Sequence, residues 1–224
     1  MFALSDLMPR RLQPVAQPAN TALDLHALVG AAGWSRLPLA VQRRFAVAHT
    51  DVTYQGHMDL RCSRIGHLYT VLARLLGGPL TSINASAVPT TVRVSDNGHG
   101  GVVWERCFHA EKNERTVRST KELDMDGGLL ERTDGGLSMS LDVFEEAGAL
   151  VFSSRRFWLV WGRLRLPVPG LLTPGTCRVV HTDLGHLGHG LFRFTLSMEH
   201  PLWGETFYQT GVFADPSDPC GSSK

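Results

Sequence analysis

The sequence has no strong excess of charge of either sign, no long apolar run and no paired cysteine motif. Its 224 residues carry a formal net charge of +1, so nothing indicates nucleic acid or an anionic membrane as a partner. No apolar run reaches the roughly 18 residues that a membrane-spanning helix needs. Residues 1–11 lack the apolar core of a secretory signal. We therefore expect a cytoplasmic protein without a membrane span.

Several motifs of metal and cofactor binding are also missing. The four cysteines are scattered and form no C-x-x-C pair, which is typical of reduced cytosolic thiols. The sequence contains no P-loop, no H-E-x-x-H, and no G-x-G-x-x-G that opens a helix after a strand. We expect neither a bound metal nor a cofactor.

What the sequence does contain is enough apolar residues for a folded core. Hydrophobic residues make up 43% of the chain and charged residues 19%, a composition unlike that of a disordered chain. We expect a single domain over residues 20–214, since a chain of this length can bury a large core. Residues 1–19 contain three prolines and little periodicity, which predicts a flexible arm, and residues 215–224 predict a polar tail.

Residues 135–174 are the stretch around which the predicted fold is organised. Apolar and polar residues alternate from Leu137 to Val143, which predicts a half-buried strand. Residues 145–148 predict a turn. The apolar run from Ala149 to Trp161 is rich in aromatic and β-branched residues and predicts a long, bent strand. Together they predict a hairpin with which other strands pair.

Alternating segments also occur before and after this hairpin, with turn residues such as Asn97-Gly98 between them. The further predicted strands are 52–60, 91–95, 102–109, 115–123, 128–132, 176–181, 191–198 and 205–213. Consecutive strands with short connections predict a mainly β (α+β) fold, an antiparallel meander that is closed into a barrel or strongly curved. We expect at least seven strands between residues 50 and 214.

Helical signals are fewer. Asn20 or Thr21 is the expected cap of a first helix, and Pro38 is the expected start of a second short helix that ends near His49. Apolar residues at helical spacing predict an amphipathic helix over 65–76, packed on the sheet. We expect its leucine face to belong to the core: Leu68, Leu72, Leu75 and Leu76.

Polar residues inside apolar strand faces are the candidate site residues. Arg106 follows Trp104 on one predicted face, and Glu131 and Gln209 interrupt apolar faces of their own strands. Burying Arg106 or Glu131 alone would cost several kcal/mol. We therefore expect the two to face the same interior space and to meet, directly or through one water, with Gln209 nearby. Such a cluster is typical of a small-molecule pocket, and a purely structural ion pair is the alternative.

Residues 181–190 contain three histidines and an aspartate in a glycine-rich segment. These residue types bind zinc or activate water, but a solvated turn without tightly bound zinc explains the segment better. His181 shares a predicted strand face with Cys177 and Val179, so we expect it to point inward and to exchange a proton near neutral pH. His181 and Glu131 are thus the candidate catalytic residues.

Ser119 and Lys121 lie two residues apart on a predicted strand and would face the same side. A Ser–Lys dyad is one interpretation. No glycine-flanked nucleophile elbow surrounds Ser119, so a structural role fits these residues better.

The sequence contains several short motifs in a fixed order: WERCF (104–108), RSTK (118–121), GGLLE (127–131), RLPVP (165–169), LLTPG (171–175), FRF (192–194), HPLWGETF (200–207) and QTGVF (209–213). Their order resembles that of the bacterial domain of unknown function DUF4166, over roughly residues 25–214. In longer chains this domain often follows a saccharopine-dehydrogenase-like, NAD(P)-type domain, which this sequence does not contain. The resemblance implies a bacterial cytosolic setting and a separate oxidoreductase as the partner in any redox role. It implies no activity and no catalytic residue.

Three functions are compatible with these observations. The favoured one is a binding module for a small, mainly apolar ligand, contacted by Arg106, Glu131, Gln209, Trp104 and His181. The second is an isomerase, cyclase or hydrolase that uses His181 or Glu131 for proton transfer in the same pocket. The third is a non-catalytic interaction domain that accompanies an oxidoreductase. A cavity lined by Arg106 and Glu131 favours the first two, and a filled interior favours the third.

Overall fold

A computed structural model describes residues 22–46, 51–74, 80–110, 113–161 and 164–216. The predicted arm at 1–19 and residues 217–224 of the predicted tail lie outside the described residues.

The strands form one antiparallel sheet that closes into a barrel. Its order is β6-β5-β4-β3-β2-β1-β11-β10-β9-β7-β8, and β6 also pairs with β7. This last pairing closes ten strands into a ring and leaves β8 beside one end of β7. The predicted antiparallel, mainly β fold is confirmed in its closed form. The strands are β1 (Val52–Cys62), β2 (Ala85–Asp96), β3 (Val102–Ala110), β4 (Asn113–Leu123), β5 (Leu129–Arg132), β6 (Leu137–Glu146), β7 (Ala149–Trp161), β8 (Leu164–Val168), β9 (Thr176–Asp183), β10 (Leu191–His200) and β11 (Gly204–Ala214).

The predicted central hairpin is β6–β7. Its turn is made by Ala147 and Gly148, whose φ angles are 50° and 78°. Positive φ at both positions matches the right-handed twist of the flanking strands. β7 pairs with β6 along one side, while on the other side its first part pairs with β9 and its last part with β8. The register between β6 and β7 shifts at Ser140 and Leu141, which leaves Arg155 of β7 as a bulge. A bulge bends its strand, in agreement with the predicted bent strand, whereas β8 was not predicted.

The described residues form four short α-helices, α1 (Leu25–Val29), α2 (Ala31–Trp34), α3 (Leu39–Phe45) and α4 (Arg64–Arg74), and a 3₁₀ turn at Gly170–Leu172. The cap of α1 is Asp24, whose carboxylate accepts a hydrogen bond from Ala27 N at 3.1 Å, so the prediction of Asn20 or Thr21 was wrong. Pro38 precedes α3 as predicted, and the predicted end near His49 lies outside the described residues. Within the described part of the chain, no helix is both long enough and apolar enough to cross a membrane.

The face that α4 buries is made of small side chains. Gly66, Thr70 and Ala73 are buried, whereas Leu68 is 56% exposed and Leu72 53% exposed. The predicted leucine core face was therefore wrong; Leu75 and Leu76 lie outside the described residues. The reason is the close approach of α4 to β11, because a Cβ on Gly66 would lie 2.3 Å from the carbonyl oxygen of Thr206. Only a face without bulky side chains fits that approach.

The main core lies inside the barrel, and α3 covers one end of it. The Phe45 ring of α3 lies 4.9 Å from His181 and 6.2 Å from Trp104, measured between ring centroids. Arg44 fixes the same helix through Asp215, with 2.6 Å between Arg44 Nε and Asp215 Oδ1. An aromatic side chain from a helix therefore forms part of the barrel interior.

Candidate ligand-binding site

The barrel interior contains two small cavities with a shared wall. The larger cavity has a volume of about 60 Å³ and the smaller one a volume of about 30 Å³. Trp104, Arg106 and Phe194 line both. Since a cavity needs about 10–15 Å³ to hold one water, both cavities have room for more than one heavy atom.

All five residues that the sequence suggested for a binding site line these cavities. Arg106, Glu131, Gln209 and Trp104 line the larger cavity. His181 lines the smaller one, together with Trp104 and Arg106. Side chains in a strand alternate between its two faces, and that alternation was assigned to the correct face at each of these positions.

A buried carboxylate joins two strands at one side of the larger cavity. Glu131 on β5 lies directly opposite Lys121 on β4, and Lys121 Nζ is 3.1 Å from Glu131 Oε2. Ser119 donates a hydrogen bond of 2.6 Å to Glu131 Oε1. Ser119 and Lys121 share one face of β4 as predicted, and both bind the same carboxylate.

Arg106 and Glu131 were predicted to meet directly or through one water; the direct contact was wrong, and the water-bridged contact stays a prediction. Arg106 lies on β3 opposite Val117 of β4, so the neighbour of Glu131 across the strands is Lys121. In the described part of the protein, no hydrogen bond or ion pair reaches the Arg106 guanidinium, and its Nε is buried without a partner. The two residues nevertheless line the same cavity, as predicted.

The electrostatics of Glu131 follow from these partners. Burial by itself raises the pKa of the carboxyl, but Lys121, Ser119 and Arg106 together outweigh burial and hold the pKa below its usual range. Glu131 is therefore ionised at neutral pH. Burial lowers the pKa of Arg106, but a guanidinium starts so high that it keeps its charge in a protein.

His181 is enclosed by aromatic rings. Its ring centroid lies within 5.4 Å of those of Phe45, Trp104 and Phe194. Neither ring nitrogen has a hydrogen-bond partner among the described residues. Burial, with Lys121 and other nearby cations, lowers the pKa of the imidazole to about 3. His181 points inward as predicted, but it is neutral at pH 7 and does not exchange a proton there.

Gln209 and Cys177 also line the larger cavity. The side-chain oxygen of Gln209 is buried and has no hydrogen-bond partner among the described residues. Burial and the nearby Glu131 carboxylate raise the pKa of the Cys177 thiol to about 12. Cys177 is therefore a neutral thiol, and Gln209 is the amide available to a bound molecule.

The histidine-rich segment does not form a cluster. His186 and His189 are exposed in the β9–β10 connection, while His181 is buried inside the barrel. Within the described chain, three metal-ligand atoms converge at one other place, Cys107, His109 and Glu114, where they lie within 4.8 Å of one another. That place is the outer surface of the β3–β4 hairpin. Sequence spacing gave no signal for it because the three residues meet across two strands.

Sequence reasoning also missed several side chains that shape the cavities. Lys121 was considered only as part of a dyad with Ser119, and Phe45 only as a helix residue. Alternation along β4 places Lys121 inward, but nothing in the sequence sets the register that pairs it with Glu131. Phe45 enters the site only because α3 folds over the barrel end.

Comparison with known proteins identifies the family. The sequence profile described as "Domain of unknown function (DUF4166)" matches residues 37–213. The chain belongs to the DUF4166 family. No curated protein and no solved structure matches it. The resemblance seen in the short motifs is thus confirmed, and every cavity residue discussed above lies within the matched DUF4166 region.

Proposed function

We propose that this DUF4166 domain binds a small, mainly apolar molecule inside its barrel. The observation that carries the proposal is the set of unpartnered polar atoms in residues of the cavity walls: Arg106 Nε, both ring nitrogens of His181, Gln209 Oε1 and Ser138 Oγ. Buried polar atoms in proteins nearly always have a hydrogen-bond partner. Polar atoms of a bound molecule would supply those partners.

The walls support a ligand that is mostly apolar. The polar atoms are few, and the rest of the larger cavity is lined by side chains such as Phe108, Val117, Phe157, Leu196 and Met198. A ten-stranded barrel is wider than the eight-stranded kind whose interior side chains can fill. A pocket with apolar walls and a few converging polar groups is typical of small-molecule sites.

The pKa values favour binding over proton-transfer catalysis. A general acid or base works best when its pKa lies near the working pH. The pKa of Glu131 is held below its usual range by Lys121, Ser119 and Arg106 against the effect of burial, and that of His181 is about 3. The enzyme alternative would require a substrate that moves one of these pKa values towards neutrality.

The third function, a non-catalytic interaction domain, was expected to have a filled interior. The two cavities argue against it as the main role. A separate saccharopine-dehydrogenase-like oxidoreductase as partner, and a bacterial cytoplasmic location, stay predictions.

The test is native mass spectrometry of protein purified from cells, followed by analysis of what denaturation releases. We expect a small organic molecule bound to the wild type and absent from Val117→Phe, which adds a ring to the wall of the larger cavity. Val212→Phe is the matched control, because Val212 is 39% exposed on β11. If the wild type and both variants each showed only the mass of their own polypeptide, with nothing released, that result would contradict the proposal.

A further inference from the structure

We infer that the molecule bound in this barrel is a monocarboxylate whose carboxylate group pairs with Arg106. The inference rests on the proposed function and specifies the class of ligand for the same site.

The first argument is the balance of charge inside the barrel. Among the described residues that line the larger cavity, the charged ones are Arg106, Lys121 and Glu131, which are 8%, 5% and 7% exposed. Two cations and one anion leave a surplus of one positive charge in an apolar interior. Buried charges are normally paired, because an unpaired charge loses its hydration without compensation.

The second argument identifies which cation carries the surplus. Lys121 contacts Glu131 at 3.1 Å. Arg44, the remaining cation that lines a cavity, is held by Asp215 at 2.6 Å and lies 3.6 Å from Asp183. Arg106 interacts with the Glu131 carboxylate only through longer-range electrostatic attraction. Of the three cations that line the two cavities, Arg106 is therefore the one without a carboxylate in direct contact among the described residues.

The third argument is that Arg106 is already positioned for an anion. Its guanidinium carbon lies 5.8 Å from the ring centroid of Phe194, a cation–π contact that limits its movement. A guanidinium presents a planar fork of N–H donors that matches the two oxygens of a carboxylate. Gln209 lines the same cavity, and its amide N–H₂ group can donate to a carboxylate oxygen.

The same charges favour one negative charge on the ligand over two. A carboxylate would balance the surplus of one. A phosphate dianion would add a second negative charge beside Glu131 with no further unpaired cation to receive it, and like charges in a low-dielectric interior repel strongly. The remainder of the ligand should be hydrocarbon, because Arg106 lies on the wall shared by two apolar cavities.

The experiment is isothermal titration calorimetry on the whole chain at neutral pH. Hexanoate, octanoate, decanoate and benzoate are each compared with the alcohol of the same skeleton, namely hexanol, octanol, decanol and benzyl alcohol. We expect at least one carboxylate to bind, and to bind at least about tenfold more tightly than its alcohol, since a charge-assisted pair is stronger than a neutral hydrogen bond.

Two variants assign the preference to Arg106. Arg106→Met should abolish the preference for carboxylate over alcohol, while Arg118→Met should keep it, because Arg118 is exposed on the outer face of neighbouring β4. The melting temperature gives a second readout. In Arg106→Met, an apolar side chain of similar length replaces an unpaired buried charge. Without ligand, the melting temperature of this variant should therefore be no lower than that of the wild type. A clearly lower melting temperature would show a structural role instead and would overturn the inference.

The wild-type comparison does not depend on any variant folding. Equal affinity for carboxylate and alcohol would overturn the carboxylate inference and leave the proposed binding function standing. A complete lack of binding across both series would overturn the inference; if native mass spectrometry also found no bound molecule, the proposed function would fail with it.

Discussion

Lys121 and Glu131 face each other across β4 and β5, with 3.1 Å between Nζ and Oε2, inside a barrel whose walls are otherwise mostly apolar. Ser119 completes the coordination of the carboxylate from the same face of β4. The pair and its hydroxyl partner fix the position of one anion in the interior, while Arg106 stays without a direct anionic partner among the described residues. The stability and the proposed ligand preference of the domain both depend on this arrangement.

Removing the carboxylate should be costly. Glu131→Ala leaves Lys121 and Arg106 as buried cations without an anion, so we expect a loss of about 3–5 kcal/mol in the free energy of unfolding. The double variant Lys121→Met with Glu131→Leu removes both charges of the pair and should cost much less. Urea denaturation measures both. Glu199→Ala on an exposed position of β10 is the control, expected to change the stability by less than about 0.5 kcal/mol. If Glu131→Ala also changed the stability by less than about 0.5 kcal/mol, the Lys121–Glu131 pair would contribute nothing to stability.

His181 should make the domain sensitive to mild acid. The imidazole has a pKa of about 3 in the fold and a usual value of 6.5. Between those values the unfolded chain binds one more proton than the folded protein, so stability is lost as the pH falls from about 6.5 towards 3. We expect a slope of about 1.4 kcal/mol per pH unit from this group.

The measurement is urea unfolding at several pH values from about neutral down to the onset of carboxyl titration near 4.5. His181→Gln should lose this part of the slope, and His186→Gln, at an exposed position, should keep it. If the wild type and His181→Gln had the same pH dependence, His181 would not be a neutral buried group.

The contact between α4 and β11 predicts which substitutions the helix tolerates. Gly66→Ala should destabilise the protein by about 1–3 kcal/mol, because the added methyl group meets backbone that cannot move away easily. Leu72→Ala should change stability by less than about 0.5 kcal/mol, since Leu72 is 53% exposed. Thermal unfolding of the two variants tests which substitution lowers the stability more. A larger loss of stability for Leu72→Ala than for Gly66→Ala would mean that the leucine face of α4 is the one packed on the sheet.

We expect no tightly bound zinc at His181, His186 and His189. The first is inside the barrel and the other two are exposed in a turn, so their nitrogens do not surround a common point. Elemental analysis of purified protein should give the same zinc content for wild type and for the His186→Ala, His189→Ala double variant. Stoichiometric zinc that disappears in the double variant would refute this.

The sequence allowed prediction of strand faces but not of strand register. Alternation along a strand decides which residues share a face. This rule alone correctly predicted that Arg106, Glu131, Gln209 and His181 face the barrel interior. Which residue lies opposite Glu131 depends on how β4 and β5 align. A shift of two residues preserves every face, so the sequence could not distinguish Lys121 from another inward residue as the partner.

The packing of α4 was mispredicted for a related reason. Helical periodicity shows which side chains share a face, but the distance between helix and sheet decides which face fits. Gly66 allows an approach that no leucine permits. Likewise, the protonation state of His181 depends on burial and on Lys121, Arg44 and Arg106, which come from other strands and from α3. These neighbours are far away in the sequence.

The most direct test of the binding function is a crystal structure of the protein purified from cells without added ligand. We expect electron density that is neither protein nor water in the larger cavity, within hydrogen-bonding distance of the Arg106 guanidinium, with Lys121 still paired to Glu131. A cavity that contains only ordered water, or one closed by a direct contact between Arg106 and Glu131, would contradict the account.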